Sequence, residues 1–529
     1  MATSLSRVPA EIVELVARHL GLSDLRDLRL VCRDVNAKVT AGSRFKGFCV
    51  HKNVELRKSN LEKLGARLCE PGVQQYLEHL TVTGPLIVTK GLERIIRERT
   101  KPADLEDPCC LKRDNIGNRS NVERVAASRS DVEDAMYQLS DFKRQIDAID
   151  TERAVGNDST ALTDLFDMIR THCKAAGLKS LTLHLVVRRE QTTLLSPAVG
   201  APFRQVWEAA QHVFSVSLQA WQRSAIKIER LDVFSGTEAC GVQTCTFAAP
   251  PNQTAFKNIF TGLKALSLSI SNRLLPLSAA EQLRDADRDE ERPGGLTALQ
   301  TPAELREERM RLLNVPSNST GLADCLRWTG SLEELLIHDY WIINSFDTSA
   351  PALTARKALL KYAADNAPLP NLRKLSLRKA DIEVNALLKL LKNSPRLKSL
   401  TMREVTLTPR DGQSWEKVFA HVTSHEAELT HVYFDNLFEE IEQQHSYVIC
   451  FTAGTEPGED ASARFERLKV QYWDWRRPSA NGWNAFELHQ REDVLRGIAY
   501  QLNSHYIMGS VQNSAWMEQR RRNHGPLGA

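Results

Sequence analysis

The chain has 529 residues, 42% of them hydrophobic and 26% charged, with a formal net charge of +3. That length predicts several domains or one extended repeat array. The balance is that of an ordinary globular protein, and so small a charge without a dominant basic stripe argues against a nucleic-acid partner. No run of about 18 apolar residues occurs, so no membrane-spanning helix is expected. The opening MATSLSRVPAEI has neither the charged start nor the short apolar core of a secretory signal, so a cytoplasmic or nuclear location is expected. The ten cysteines are scattered, and in a reducing compartment they are expected as free thiols.

The first 45 residues read as a small helical unit. Pro9 suits the first turn of a helix. Ile12, Leu15, Val16 and Leu20 then fall on one helical stripe. Gly21 can end that helix, and Ser23 can cap the next. Leu25, Leu28, Val31 and Cys32 make a second stripe. Two helices of this size cannot enclose all of that apolar surface.

Beyond residue 75 another pattern recurs: apolar, two residues, apolar, one residue, apolar. It occurs within YLEHLTV from Tyr76, and begins at Leu178, Ile228, Leu263, Leu332, Leu372, Leu397, Leu429 and Phe465. Its last positions alternate as a strand with one inward face does. Helical stretches such as VNALLKLLKNSP lie between copies. The alternation predicts a solenoid with one short strand per repeat. Leu372 and Leu397 are 25 residues apart, within the roughly 20–29 residues of leucine-rich repeats, and the other intervals are longer. Two highly charged intervals, 100–160 and 276–318, read as insertions, the first with a helical piece near DVEDAMYQLSDFKRQIDAI.

Residues 8–35, VPAEIVELVARHLGLSDLRDLRLVCRDV, resemble an F-box, the helical module that docks onto the Skp-type adaptor of cullin-RING ubiquitin ligases. Val8-Pro9 stands for the usual Leu-Pro. Glu11-Ile12, Asp24-Leu25 and Leu28 follow in place, and Leu30-Val31-Cys32-Arg33 closes the motif. Val8 is smaller than the common Leu, and Val35 stands where many members carry Trp. An F-box followed by degenerate leucine-rich repeats is similar to a group of fungal F-box proteins. The expected fold is therefore α/β. A helical F-box occupies 1–45, a helical linker 46–75, an irregular leucine-rich-repeat solenoid 76–500, and a C-terminal tail 501–529. The resemblance implies adaptor contacts by Val8, Pro9, Ile12, Leu15, Val16, Leu20, Leu25, Leu28, Val31 and Cys32. Part of a small unit's apolar surface must stay unburied, and such a patch marks a binding site.

The residues between the apolar positions should face outward, along one surface of the solenoid. They include Glu334, Leu336 and His338; Lys374, Ser376 and Arg378; Ser399, Thr401 and Arg403; and His431, Tyr433 and Asp435. Arg467, Lys469 and Gln471 follow. Arginine holds carboxylate or phosphate in bidentate fashion. An acidic or phosphorylated protein segment is therefore the expected ligand of Lys374, Arg378, Arg403, His431, Tyr433 and Lys469, against the simpler reading of a solvated charged face. Trp473, Trp475 and Trp483 suit a terminal cap over the open core end better than an interface.

The sequence carries no recognisable catalytic or metal-binding motif. No Gly-rich phosphate loop or GxSxG elbow occurs. Cys240 and Cys245 have no second ligand pair at zinc-site spacing. His172 and Cys173, adjacent on a helix, point about 100° apart and make no dyad. No catalytic residue, metal or cofactor is expected. The expected role is a non-enzymatic substrate receptor joining an unknown protein substrate to the Skp adaptor and, through it, a cullin. A scaffold working outside a ligase remains open, as does an enzyme with a fortuitously similar N-terminus.

Overall fold

The computed structural model describes residues 7–69, 76–102, 124–173, 177–188, 203–237, 240–247, 253–271, 317–340, 350–409, 414–442, 445–451 and 485–503, except 497 and 499. The strand expected at Phe465, the site residue Lys469, the three tryptophans Trp473, Trp475 and Trp483, and nearly all of the 276–318 insertion lie outside the described residues.

The N-terminus is four short helices: α1 (Ala10–Ala17), α2 (Leu22–Leu30), α3 (Arg33–Ala41) and α4 (Ser43–Val50). They close over a core of their own, formed by Val13, Ala17, Leu25, Val35, Val39, Phe45 and Cys49. Helix α2 begins two residues earlier than expected. Gly21 is its N-cap, and the Gly21 N–H donates to Asp24 Oδ2 at 3.1 Å, so Ser23 is not the cap. The Arg29 guanidinium lies 4.4 Å from the Phe45 ring centroid and its Nε donates to Asn36 Oδ1 at 2.8 Å, tying α2 to α3 and α4.

The remainder is built on one long sheet. Among the described residues nine strands pair in parallel and in chain order along its main path, with the short strand Val242–Gln243 also paired to the end of the fifth: β1 (His51–Glu55), β2 (His79–Ile87), β3 (Gly177–Arg188), β4 (Lys227–Val233), β5 (Ala265–Ser271), β6 (Glu334–Tyr340), β7 (Lys374–Arg378), β8 (Ser399–Arg403) and β9 (His431–Asp435). A tenth, β10 (Ala485–Leu488), closes the far edge antiparallel to β9. Parallel neighbours need a crossover, and helices supply it. They include Lys58–Leu68, Phe203–Ser224, Ser317–Trp328, Ala350–Asn366, Val384–Lys392 and Trp415–Val422. The molecule is thus a mixed α/β protein. Within 46–75, read as a helical linker, β1 is already part of the sheet. Its HKNVE sequence carries no apolar spacing to announce it.

Eight of the nine expected apolar triplets fall on β2 to β9 in one register. Leu335, Leu375, Leu400 and Val432 are neighbours across the ladder, as are Ile337, Leu377, Met402 and Phe434. All eight are buried. Strands β7 and β8 alternate between buried and open positions. A parallel sheet covered on both faces would read as continuously apolar, so the alternation means that helices cover one face here. The helix Phe203–Ser224 comes so close to β2 that a side-chain carbon at Gly84 would overlap Val213.

At the far end each strand is followed by a left-handed residue: Lys379 (φ 57°), Glu404 (φ 53°) and Asn436 (φ 52°). The chain then enters a second sheet through Asp381–Glu383, Thr406–Thr408 and Phe438–Glu442, again parallel. Non-glycine residues enter this region at an energetic cost. The turn is held by hydrogen bonds that extend the ladder: Lys379 N–H to Arg403 O at 2.8 Å, and Glu404 N–H to Asp435 O at 2.7 Å. Two more strands, His445–Phe451 and Tyr500–Asn503, complete that sheet, so residues 501–503 of the expected tail belong to it. Phe419, Phe434, Phe451, Phe486 and Tyr500 pack ring against ring at this end.

The described part of the 100–160 interval, residues 100–102 and 124–160, is mainly helical. Thr100–Pro102 pairs with Arg124–Ala126, and a 27-residue helix runs from Arg129 to Val155. The Ser128 Oγ accepts from the Asp131 N–H at 3.1 Å at its start, and Gly156 ends it at φ 72°. Its buried face, Ala135, Phe142 and Ile149, packs on Ile87, Leu92 and Ile95.

The packing sets an expected contrast. Leu400→Ala, in a filled column, should destabilise the protein by about 2–5 kcal/mol. Thr401→Ala, its neighbour facing the open side, should change stability by about 0.5 kcal/mol or less. Urea midpoints of the two variants measure both.

Candidate functional site

Two surfaces stand out. The first is the outer side of α1. Val13 and Ala17, one turn apart, face the small core. Ile12, Leu15 and Val16 then face solvent, at 48%, 50% and 52% exposure. They lie three and four residues apart and so form one stripe on the helix. Leu30 at 83% and Val31 at 60% are also exposed, at the end of α2. Pro9 is exposed, and Val8, Leu20, Leu28 and Cys32 are half-buried. Leu25 is a correction. It is completely buried in the four-helix core and has no surface to offer a partner. Leu30 is the converse, an exposed apolar residue that the helical stripes did not single out.

The stripe is held firmly. Lys38 Nζ donates to Val8 O at 2.8 Å. The Ser43 hydroxyl and the Ser43 N–H both donate to Glu14 Oε1, the latter at 3.2 Å, joining α1 to α4. These bonds hold the Glu14 carboxyl below its usual range.

The second surface lies on the open face and at the carboxyl ends of β6 to β9, where side chains of a parallel sheet converge. The register stacks His338, Arg378, Arg403 and Asp435 across four strands. Lys374 is not a free cation: its Nζ sits 3.0 Å from Glu334 Oε1, and Arg230 reaches Glu334 Oε2 at 2.6 Å. Burial works against the Glu334 charge, yet the Lys374 hydrogen bond and Arg230 hold its carboxyl below the usual range. Arg403 pairs with Asp435 through Nε at 3.2 Å and a terminal nitrogen at 3.1 Å. Its guanidinium is 5.9 Å from the Tyr433 ring centroid. His431 is held between Ser399 Oγ at 2.9 Å and Glu487 Oε1 at 3.0 Å.

Arg378 differs from these. It makes no ion pair among the described residues, and its shielded Nε finds no hydrogen-bond partner among them. His338 and Asp435 were expected to face outward, but both are buried. Their strand positions do point to the open side. The turn residues Lys379 and Glu404, which strand spacing alone does not flag, fold back beside them. The His338 ring lies 4.0 Å from that of Tyr340, and Lys379 Nζ lies 4.9 Å from the Tyr340 ring centroid. Asp339, one residue on along the strand and so on the helix-covered face, is also buried.

This pocket of charge carries three cations, Arg378, Lys379 and Arg403, against Glu404 and Asp435. Burial pushes both carboxyls up, with the neighbouring cations opposing it. Asp435 Oδ1 is left without a hydrogen bond among the described residues. The excess of positive charge and the absence of an ion pair on Arg378 among the described residues suit an incoming anion. Elsewhere, buried Cys173 and Cys325 thiols are pushed up to about 11 and about 12 by burial, which leaves them protonated and unreactive. Among the described residues no helix is long and apolar enough to cross a membrane.

No known family model and no curated protein matches the chain.

His338 gives a pH signature. Burial first, then the Lys379, Arg378 and Arg403 charges, holds its imidazole well below the ordinary 6.5. The unfolded chain takes up a proton there below pH 6.5 and the folded chain does not. Stability from this residue is therefore complete above that pH and drains away as pH falls through it. From about pH 7 to about pH 5, wild-type Tm should fall more steeply than that of His338→Gln, as differential scanning calorimetry would show.

Proposed function

We propose that this protein is the substrate receptor of a Skp–cullin–F-box ubiquitin ligase, with α1 to α4 as its F-box and the sheet-and-helix body as an irregular leucine-rich-repeat array. The single observation that carries the proposal is the division of labour on α1. Val13 and Ala17 close the unit's own core, while Ile12, Leu15 and Val16 are left in water on a rigidly tied helix. A small unit that fills its core and still shows an aliphatic stripe is built to be completed by a partner. The resemblance of residues 8–35 to an F-box makes a Skp-type adaptor that partner.

In this reading the chain contributes no bond-making group. One end binds adaptor and cullin, and the open face near Arg378 and Arg403 takes an acidic or phosphorylated segment of the substrate. Tethering raises the local concentration of acceptor lysines to roughly millimolar for short connections. An F-box scaffold acting outside a ligase would bind the same adaptor without a cullin, so cullin co-purification separates the two readings.

Two experiments follow. Ile12→Asp, Leu15→Asp and Val16→Asp together should abolish binding of purified Skp adaptor in a calorimetric titration while leaving Tm within a few degrees of wild type. Undiminished binding removes the F-box reading. Arg378→Glu with Arg403→Glu should abolish capture of acidic or phosphorylated peptides from an immobilised peptide array, with adaptor binding intact. Equal capture by the variant means that the charged face is merely solvated.

A further inference from the structure

At the far edge of the sheet His431, expected among the substrate-binding residues, meets two side chains that neither the adaptor nor the substrate reading uses. Strands β9 and β10 pair antiparallel with Val432 opposite Leu488 and Tyr433 opposite Glu487. The same register continued by one residue sets His431 across from His489, and their ring centroids are 5.3 Å apart. Glu487 and His489 are two residues apart and so share one face. Its carboxylate bridges the two rings, with Oε1 at 3.0 Å from His431 Nε2 and Oε2 at 3.7 Å from His489 Nε2. One ligand atom from each of the three residues lies within 4.8 Å of the others.

We propose that His431, Glu487 and His489 form a binding site for a divalent transition-metal ion of the zinc class. A tetrahedral zinc with bonds of about 2.0–2.1 Å holds its ligand atoms roughly 3.3 Å apart, so small side-chain rotations suffice here. Two imidazoles and one carboxylate suit zinc and its neighbours rather than calcium or magnesium, which prefer oxygen alone. Ligand histidines have the second ring nitrogen fixed by an outer partner. His431 has one, since its Nδ1 lies 2.9 Å from Ser399 Oγ on β8. With Nδ1–H donating to Ser399, an ion that displaces the proton between Nε2 and Glu487 finds the Nε2 lone pair free to bind it. The three residues are partly or fully exposed, so water completes the coordination.

The ion would act as a clamp. His431 comes from the parallel sheet, whereas Glu487 and His489 arrive on β10 or just after it. The set exists only while β10 is docked, so metal binding favours the docked edge by linkage. A ladder of four residue pairs is a short hold for a terminal strand, and a metal bond across it adds a second.

The test uses the full chain, stripped with a chelator and then titrated with Zn2+ by calorimetry and with Co2+ by visible absorption. The expected result is one ion per chain, a cobalt spectrum of tetrahedral nitrogen and oxygen ligands without thiolate charge transfer, and a Tm that rises saturably with Zn2+. His489→Ala and Glu487→Gln should each lose roughly tenfold or more in affinity, and Ser399→Ala should also weaken it. His489→Ala is an exposed surface change, so its metal-free Tm should stay near the wild-type value. Absent binding, variants that bind as tightly as wild type, or a thiolate-dominated spectrum each overturn the site.

Discussion

The structure depends on a packing constraint repeated along the sheet. Each strand from β2 to β9 must deliver two aliphatic or aromatic side chains, two residues apart, to the same layer under the helices. The Leu375–Leu400–Val432 and Leu377–Met402–Phe434 columns show what this requires. A slip of one residue would turn a whole strand over and place its charges in the core. Strand order therefore follows chain order, and each crossover helix lands on the same side. Inserted material such as Arg129–Val155 is tolerated because it packs on its own patch at Ile87, Leu92 and Ile95 without disturbing the columns.

The same constraint creates the open face. With one side of a parallel sheet bare, the intervening positions are free to carry charge, and they do. Most of that charge is settled locally: Lys374 with Glu334, Arg403 with Asp435, His431 with Glu487. The exception is at the carboxyl end, where left-handed turns bring Lys379 and Glu404 against His338 and Arg378. There the cations outnumber the carboxylates, and burial makes their fields strong. The N-terminal unit works on the opposite principle: its core is closed, and what it leaves exposed is apolar.

Much of this was legible in the chain. The spacing of Leu372, Leu375 and Leu377 announces a strand because it repeats with helical sequence between copies, and period alone separates the two elements. Helices α1 and α2 were legible for the same reason, whereas α3 and α4 were not read from the sequence. Which side of α1 faces inward was not. Ile12, Leu15 and Val16 make as good a stripe as Val13 and Ala17, and only the placement of α3 and α4 decides between them. Leu25 fell to the core on the same ground. Strand β1 was hidden because HKNVE has one buried position, Val54, and so no pattern. The charged pocket was half visible: Arg378 and Arg403 follow from strand alternation. Lys379 and Glu404 depend on left-handed turns at non-glycine residues, which no local rule predicts. The His431–Glu487–His489 cluster joins positions 56 residues or more apart through a strand pairing that no spacing reveals.

The most direct measurement is affinity capture from cell extract with the full chain and with a chain lacking residues 1–50, the bound proteins being identified by mass spectrometry. Recovery of a Skp-type adaptor together with a cullin by the full chain, and of neither by the shortened one, is the predicted result. Recovery of neither by the full chain would contradict the account, leaving α1 to α4 without a ligase partner and the sheet as a free-standing binding surface.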